Sequence, residues 1–234
     1  SLVRYLLEET YEVVDAINAL DTDNPATDDD FIEELGDLMY QVEFHAAIAE
    51  EEGRFTMADV LSRAHDKLVS RHPHVFGDVS ADSASEVETN WDAIKKKEKP
   101  HRTGMFDGLA ESAPSLQYAH KSQQRAAKAG FDWPDAHGAI DKIREEASEV
   151  TAALAAGDPE AVATEIGDLL FSVVNVARHL DVDAEQSLRA AVQKFRSRVA
   201  TVEKLAAEKG ADIASMSLEE LDTLWEMAKR ALGH

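Results

Sequence analysis

The sequence predicts an all-α fold, and three observations carry that reading. Apolar residues recur at three- and four-residue intervals along most of the chain, and no stretch alternates with the two-residue period of a half-buried strand. Caps and breakers stand where helices of ordinary length would begin and end. The chain also repeats itself: "EETYEV" at Glu8 to Val13 returns as "EEASEV" at Glu145 to Val150, and "EELGDLMYQV" at Glu33 to Val42 returns as "TEIGDLLFSVV" at Thr164 to Val174.

Taken in order, "LLEETYEVVDAI" at Leu6 to Ile17 is an amphipathic helix on which Glu8, Glu9 and Glu12 crowd one sector, read as having no cation close by to neutralise them. Asp28, Asp29 and Asp30 are predicted to offer caps and favourable negative charge at the start of the next helix, which carries Phe31, Leu35, Leu38, Met39 and Val42 at helical spacing. His72 and His74 in "RHPHVF" read as turn or packing residues. Asp78 to Ser85 reads as loose chain and Glu86 to Lys99 as helix, whose "KKKEK" end is a solvated terminus with no assigned role. Pro100 to Pro114, with breaks at Gly104 and Gly108, reads as a connector. The boundary between two domains, 1–103 and 104–234, is placed there.

In the second half, Lys121, Arg125 and Lys128 share a helix before Phe131 and Trp133. Gly157 is predicted to end the second Glu-rich helix, and Asp158-Pro159 to start the next as cap and first-turn proline. A further helix runs from about Asp183 to Gly210, and "SLEE" at Ser217 to Glu220 is a capping box for the last one. Gly36 and Gly167 recur inside matching helices, where glycine costs about 1 kcal/mol against alanine, and close helix packing is the expected reason.

Composition narrows the function classes. With 24 Lys and Arg against 46 Asp and Glu, the net charge of −22 argues against a general nucleic-acid or anionic-membrane surface. The absence of cysteine removes disulfides, zinc fingers and thiol nucleophiles, and fits the cytoplasm. No apolar run approaches the roughly 20 residues of a membrane span. The chain starts at Ser1 inside a helical pattern, so the first repeat is expected to lack its natural N-terminal segment.

The repeats concentrate carboxylates: Glu8, Glu9, Glu12, Glu34 and Asp37 in the first, Glu145, Glu146, Glu149, Glu165 and Asp168 in the second. Glu146 with Glu149, and Glu165 with Asp168, are each three residues apart and share a helix face. If the two helices pack antiparallel across the Gly157 turn, four carboxylates converge; together they would raise one another's pKa, and a divalent cation would remove the conflict. An all-oxygen set suits Mg²⁺, with Mn²⁺ able to substitute. A di-iron bundle would need Glu-x-x-His pairs, and Glu98 to His101, across Pro100, cannot supply one. Nucleophile elbows and phosphate-cradling glycine loops are missing too, so phosphates would be held through metal and through cations such as Lys194 and Arg198, one helical turn apart. Trp225, with Lys229 four residues on, could stack a base or simply pack in a core.

The paired acidic elements, with "RHPHVFGD", "KAGFDW", "IGDLLFSVVNVARHL" and "LDTLWEMAKR", resemble the MazG nucleoside triphosphate pyrophosphohydrolases over nearly the whole chain. The resemblance implies a Mg²⁺-dependent, dimeric, all-α enzyme that converts NTPs or dNTPs to monophosphates and pyrophosphate in nucleotide-pool housekeeping, including damaged dNTPs. It places metal ligands on Glu146, Glu149, Glu165 and Asp168, with Glu145 beside them to orient or deprotonate water. Triphosphate contacts fall on Lys194 and Arg198, and nucleotide contacts on Trp225 and Lys229. The second repeat is the one expected to be catalytic, and the first-repeat set a possible second site. Thr164 departs from the family, which often has a Glu there. Two rival readings are a non-hydrolysing nucleotide sensor of the same fold and a helical scaffold with solvated acidic faces.

Overall fold

In the computed structural model, residues 2–77, 94, 98 and 103–233 are described, and every regular element among them is helical. They fall into two compact units, 1–101 and 102–234. The first unit contains α1 (Val3–Ala19), α2 (Ala26–Glu51), α3 (Met57–Arg71) and the single turn α4 (Pro73–Phe76). The second contains α5 (Ser115–Lys128), α6 (Ala136–Ala156), α7 (Pro159–His179), α8 (Ala184–Glu208), a 3₁₀ turn at Ile213–Ser215 and α9 (Leu218–Ala231).

Local chemistry sets most of these boundaries. Gly157 takes φ 68°, a left-handed conformation that closes α6 without the strain a side chain would bring. The Asp158 carboxylate immediately accepts from the backbone N–H groups of Glu160 and Ala161, with Pro159 in the first turn, so only two residues separate α6 from α7. That tight connection folds α6 and α7 into a helical hairpin, and α1 packs on α2 in the same way. Asp183 caps α8, and Ser217 and Glu220 form a reciprocal capping box on α9. His72 sits at the junction of α3 and α4, its Nδ1 2.7 Å from the carbonyl of Leu68.

Two expectations are corrected. Asp28, Asp29 and Asp30 do not cap α2; the helix begins at Ala26 after Pro25, and these aspartates lie inside its first turns, where they complement the helix dipole. Gly36 and Gly167 are not wedged against a neighbouring helix: a Cβ at either would meet nothing within 4 Å. Both glycines are exposed. The predicted segments Asp78 to Ser85 and Glu86 to Lys99 lie outside the described residues, apart from Ile94 and Glu98.

The best-formed core is in the second unit, where Val202 and Ala206 of α8 meet Leu224 and Ala228 of α9, with Leu205, Ile213, Met216, Leu221 and Trp225 packed around them. Two alanines at the centre let the helices approach closely, so Leu224 is left with only 1% of its surface exposed. Elsewhere large apolar side chains remain in contact with solvent, among them Leu35 and Met39 on α2 and Ile166, Leu170 and Phe171 on α7. No helix among the described residues is long and apolar enough to cross a membrane.

Leu224→Ala removes the largest fully buried side chain from a site held by two alanines that cannot expand. It is expected to cost about 2–4 kcal/mol, read as a lower urea midpoint at unchanged slope.

Candidate metal centre

Because α6 and α7 run side by side, residues one helical turn apart on α7 face a glutamate on α6. Glu146, Glu165 and Asp168 each offer an oxygen, and these oxygens lie within 4.8 Å of one another. Burial is graded across the three: Glu146 is buried, Glu165 half-buried and Asp168 exposed. Three carboxylates at that spacing repel unless a cation or a proton intervenes.

One cation is supplied by the protein. The Lys142 ammonium, one turn before Glu146, lies 2.6 Å from Glu146 Oε1 and 2.9 Å from Glu145 Oε1. These contacts, the one to Glu146 foremost, hold the Lys142 pKa well above the usual lysine range. The second oxygen of Glu146, Oε2, is buried and has no hydrogen-bond partner. A buried acceptor left in that state is rare and costly, and it is the feature expected where an ion belongs.

Glu149, predicted as a fourth member, is exposed and does not join the three converging oxygens. It remains close enough to feel them: partial loss of solvent raises its pKa most, followed by the charge of Glu146, a side-chain contact with that same carboxyl, and then the charge of Glu165. Glu145 is exposed and turned to Lys142. Thr164 spends its hydroxyl on the carbonyl of Glu160, 3.1 Å away, and contributes nothing to the cluster.

The other predicted residues of this unit assemble on α8 and α9. The Arg198 guanidinium lies 5.5 Å from the centre of the Trp225 ring, which also meets Phe195 at 5.6 Å. Arg198 Nε is buried and unpartnered. Lys229 Nζ is 2.7 Å from Glu226 Oε1, which holds the Glu226 carboxyl below its usual range. Lys194 is exposed one turn before Arg198.

In the first unit the oxygens of Glu9, Glu34 and Asp37 likewise lie within 4.8 Å of one another. Tyr5 stands where Lys142 stands in the other repeat, and the Gln41 amide donates to Glu9 Oε1 across 3.5 Å. Partial burial first, then neighbouring carboxylates led by Glu12, push the pKa of both Glu9 and Glu34 upward. Contrary to the reading of this segment as lacking cations, Arg4 does pair with Glu8, at 3.1 Å on the exposed side of α1. Glu12 lines an open hollow of about 310 Å³ together with Asp15, Asp30, Glu33 and Glu34.

Sequence reasoning missed a network beside α6. Asp132 accepts from the Arg178 guanidinium at 2.9 Å through Nη1, lies 3.1 Å from His179 Nε2, and accepts the Trp133 backbone N–H at 2.9 Å. Arg178 Nε also donates to the buried Asn175 at 3.1 Å. The Arg178 contacts hold the Asp132 carboxyl below its usual range. The Trp133 indole lies so close over Gly138 that a Cβ there would come within 2.2 Å of it. The signal was present in "KAGFDW" and "ARHL", but nothing in either string says that an aspartate before one helix meets an arginine near the end of the next.

Comparison with known proteins places this architecture. Residues 1–76 and 135–202 match the family profile described as the MazG nucleotide pyrophosphohydrolase domain. The chain is 42% identical over 234 residues to the nucleoside triphosphate pyrophosphohydrolase of Escherichia coli strain K12, covering 98% of this chain and 87% of that protein. It is 43% identical over 229 residues to the nucleoside triphosphate pyrophosphohydrolase/pyrophosphatase MazG of Thermotoga maritima, covering 98% and 85%. With the nucleoside triphosphate pyrophosphohydrolase of Mycobacterium tuberculosis it shares 35% over 226 residues, 95% of this chain and 56% of the relative.

The Glu149 shift has a definite sign. The folded state holds that proton more tightly than the unfolded chain, so stability from this group falls as pH rises from the ordinary glutamate value through the raised one, and stays lower above it. Glu149→Gln is therefore expected to raise the melting temperature in chelator at pH 8 and to leave it nearly unchanged at pH 4, measured by differential scanning calorimetry.

Proposed function

The chain belongs to the MazG nucleotide pyrophosphohydrolase family, and on that premise we propose that it hydrolyses nucleoside or deoxynucleoside triphosphates between the α and β phosphates, using the second-unit carboxylates as a divalent-metal centre. The observation that carries the assignment is the convergence of carboxylate oxygens from Glu146, Glu165 and Asp168, one member of which, Glu146, also has a buried oxygen with no hydrogen-bond partner. The donor set is all oxygen and anionic, which fits Mg²⁺, or Mn²⁺ in its place, and suits no soft metal. Such an ion, when bound, supplies the positive charge that a triphosphate and its transition state require.

In this reading Glu146, Glu165 and Asp168 hold the metal, and Glu149 turns in to complete the set. Glu145, exposed beside the cluster, orients the attacking water and accepts its proton. Lys194 and Arg198 take charge on the β and γ phosphates, the planar guanidinium giving direction and the flexible ammonium reach. Trp225, held by Phe195 and Arg198, offers a ring edge to the base, with Lys229 close by. The first-unit cluster of Glu9, Glu34 and Asp37, with Glu8 and Glu12 nearby, is a possible second site.

The enzyme acts as a homodimer. Ile166, Leu170 and Phe171 flank Gly167 on an exposed face of α7, where the missing side chain would admit another helix. Its work is clearance of the nucleotide pool in the cytoplasm, including damaged dNTPs.

Incubation with dCTP and Mg²⁺ is expected to give dCMP and pyrophosphate, with Asp168→Ala slower by at least about 100-fold and chelator abolishing turnover. Release of dCDP and phosphate would place the cleavage elsewhere. Metal-dependent dCTP binding without turnover would favour the sensor.

A further inference from the structure

Glu146 stands apart among the described acidic residues of this unit because one of its oxygens is ion-paired while the other is buried without a partner. Its side chain is 4% exposed, yet Oε1 is gripped by Lys142 at 2.6 Å while Oε2 has no partner. A glutamate carboxylate rotates over a broad well about its last torsion, so a free one presents either oxygen, or an edge between them, to a ligand. An anchor on one oxygen removes that freedom. The anchor here comes from a side chain with 34% of its surface exposed that reaches inward from one turn away and grips Glu145 at 2.9 Å with the same ammonium.

The first repeat provides an internal contrast. Its cluster is built from the same residue types, but Tyr5 takes the place of Lys142, Glu9 is only half-buried, and the nearby cation, Arg4, turns to Glu8 at 3.1 Å on the exposed side. The inward-facing lysine and the fully buried glutamate therefore occur together, in one repeat and not the other.

We propose that Lys142 is a positioning residue of the metal centre: it commits Glu146 Oε1 to the protein so that Oε2 is presented, fixed and unencumbered, to the divalent cation. This rests on the second-unit cluster being a metal site. Lys142 acts through Glu146, as partners of ligating carboxylates do elsewhere, where their loss typically weakens metal binding by about 10–100-fold. Simple electrostatics gives the opposite sign, since deleting a positive charge beside the site should make a divalent ion bind more tightly. The direction of the change thus separates the two.

The test is a Mn²⁺ titration of the full chain without nucleotide, following free Mn²⁺ by its electron paramagnetic resonance signal. Every sample carries Glu34→Gln and Asp37→Asn, so that the first-unit cluster does not report. Lys142→Met is expected to bind Mn²⁺ at least about 10-fold more weakly than the Lys142 parent, and Lys142→Arg, which keeps the charge and the donors, to recover most of the affinity. Circular dichroism of each variant checks folding, and should Lys142→Met not fold, Lys142→Gln, which keeps a donor without the charge, replaces it with the same expected direction. Equal or tighter binding by a folded, uncharged variant would overturn the role given to Lys142 and leave the metal site standing. No Mn²⁺ binding by the parent would overturn the metal site itself.

Discussion

Mutual repulsion among carboxylates is the constraint on which the rest of this molecule turns. Each helical hairpin brings three oxygens within 4.8 Å of one another, an arrangement that in water would relax by moving apart. The helices prevent that. In the second unit the helical backbones that carry these side chains are held side by side by a hairpin whose connection is fixed by a left-handed glycine, an aspartate cap and a first-turn proline. The strain is answered by charge instead: Lys142 inside the protein, and a divalent cation in the functional reading.

The two repeats meet the same constraint in different ways. The second buries a glutamate and sets a lysine against it, then closes the entrance to α6 with the Asp132–Arg178–Asn175 network and the indole of Trp133. The first leaves its glutamates half-buried and lets their proton affinity rise, with the Gln41 amide donating to Glu9. A buried, ion-paired carboxylate is held in one geometry, whereas a half-solvated one keeps its rotational freedom. The two repeats differ here in one matching position, a lysine facing inward in the second and Tyr5 in its place in the first.

Packing of the unit reinforces this division. The core of α8 and α9 is centred on small residues and one leucine, and it holds Arg198 against Trp225. The α6–α7 hairpin has little such support on its outer face, where apolar side chains around Gly167 stay exposed. An apolar surface of that kind is stabilised by burial at about 25 cal/mol per Å², which is the physical basis for expecting a second copy there.

The sequence by itself determined where most helices begin and end, because Gly157, Asp158, Asp183 and Ser217 act through local backbone chemistry that needs no distant partner. It also determined which residue types would crowd each hairpin, since helical period assigns faces. It misjudged Asp28 to Asp30, where Pro25 and a turn before it already start the helix, and it gave Gly36 and Gly167 a packing role that open space denies them. Tertiary structure alone decided that three oxygens rather than four converge, that Glu146 is the buried one, and that Lys142 turns inward while Arg4 turns out. Those outcomes depend on how closely two helices approach and on which rotamer each neighbour then permits, and helical periodicity, which fixes angle around an axis, carries no information about either.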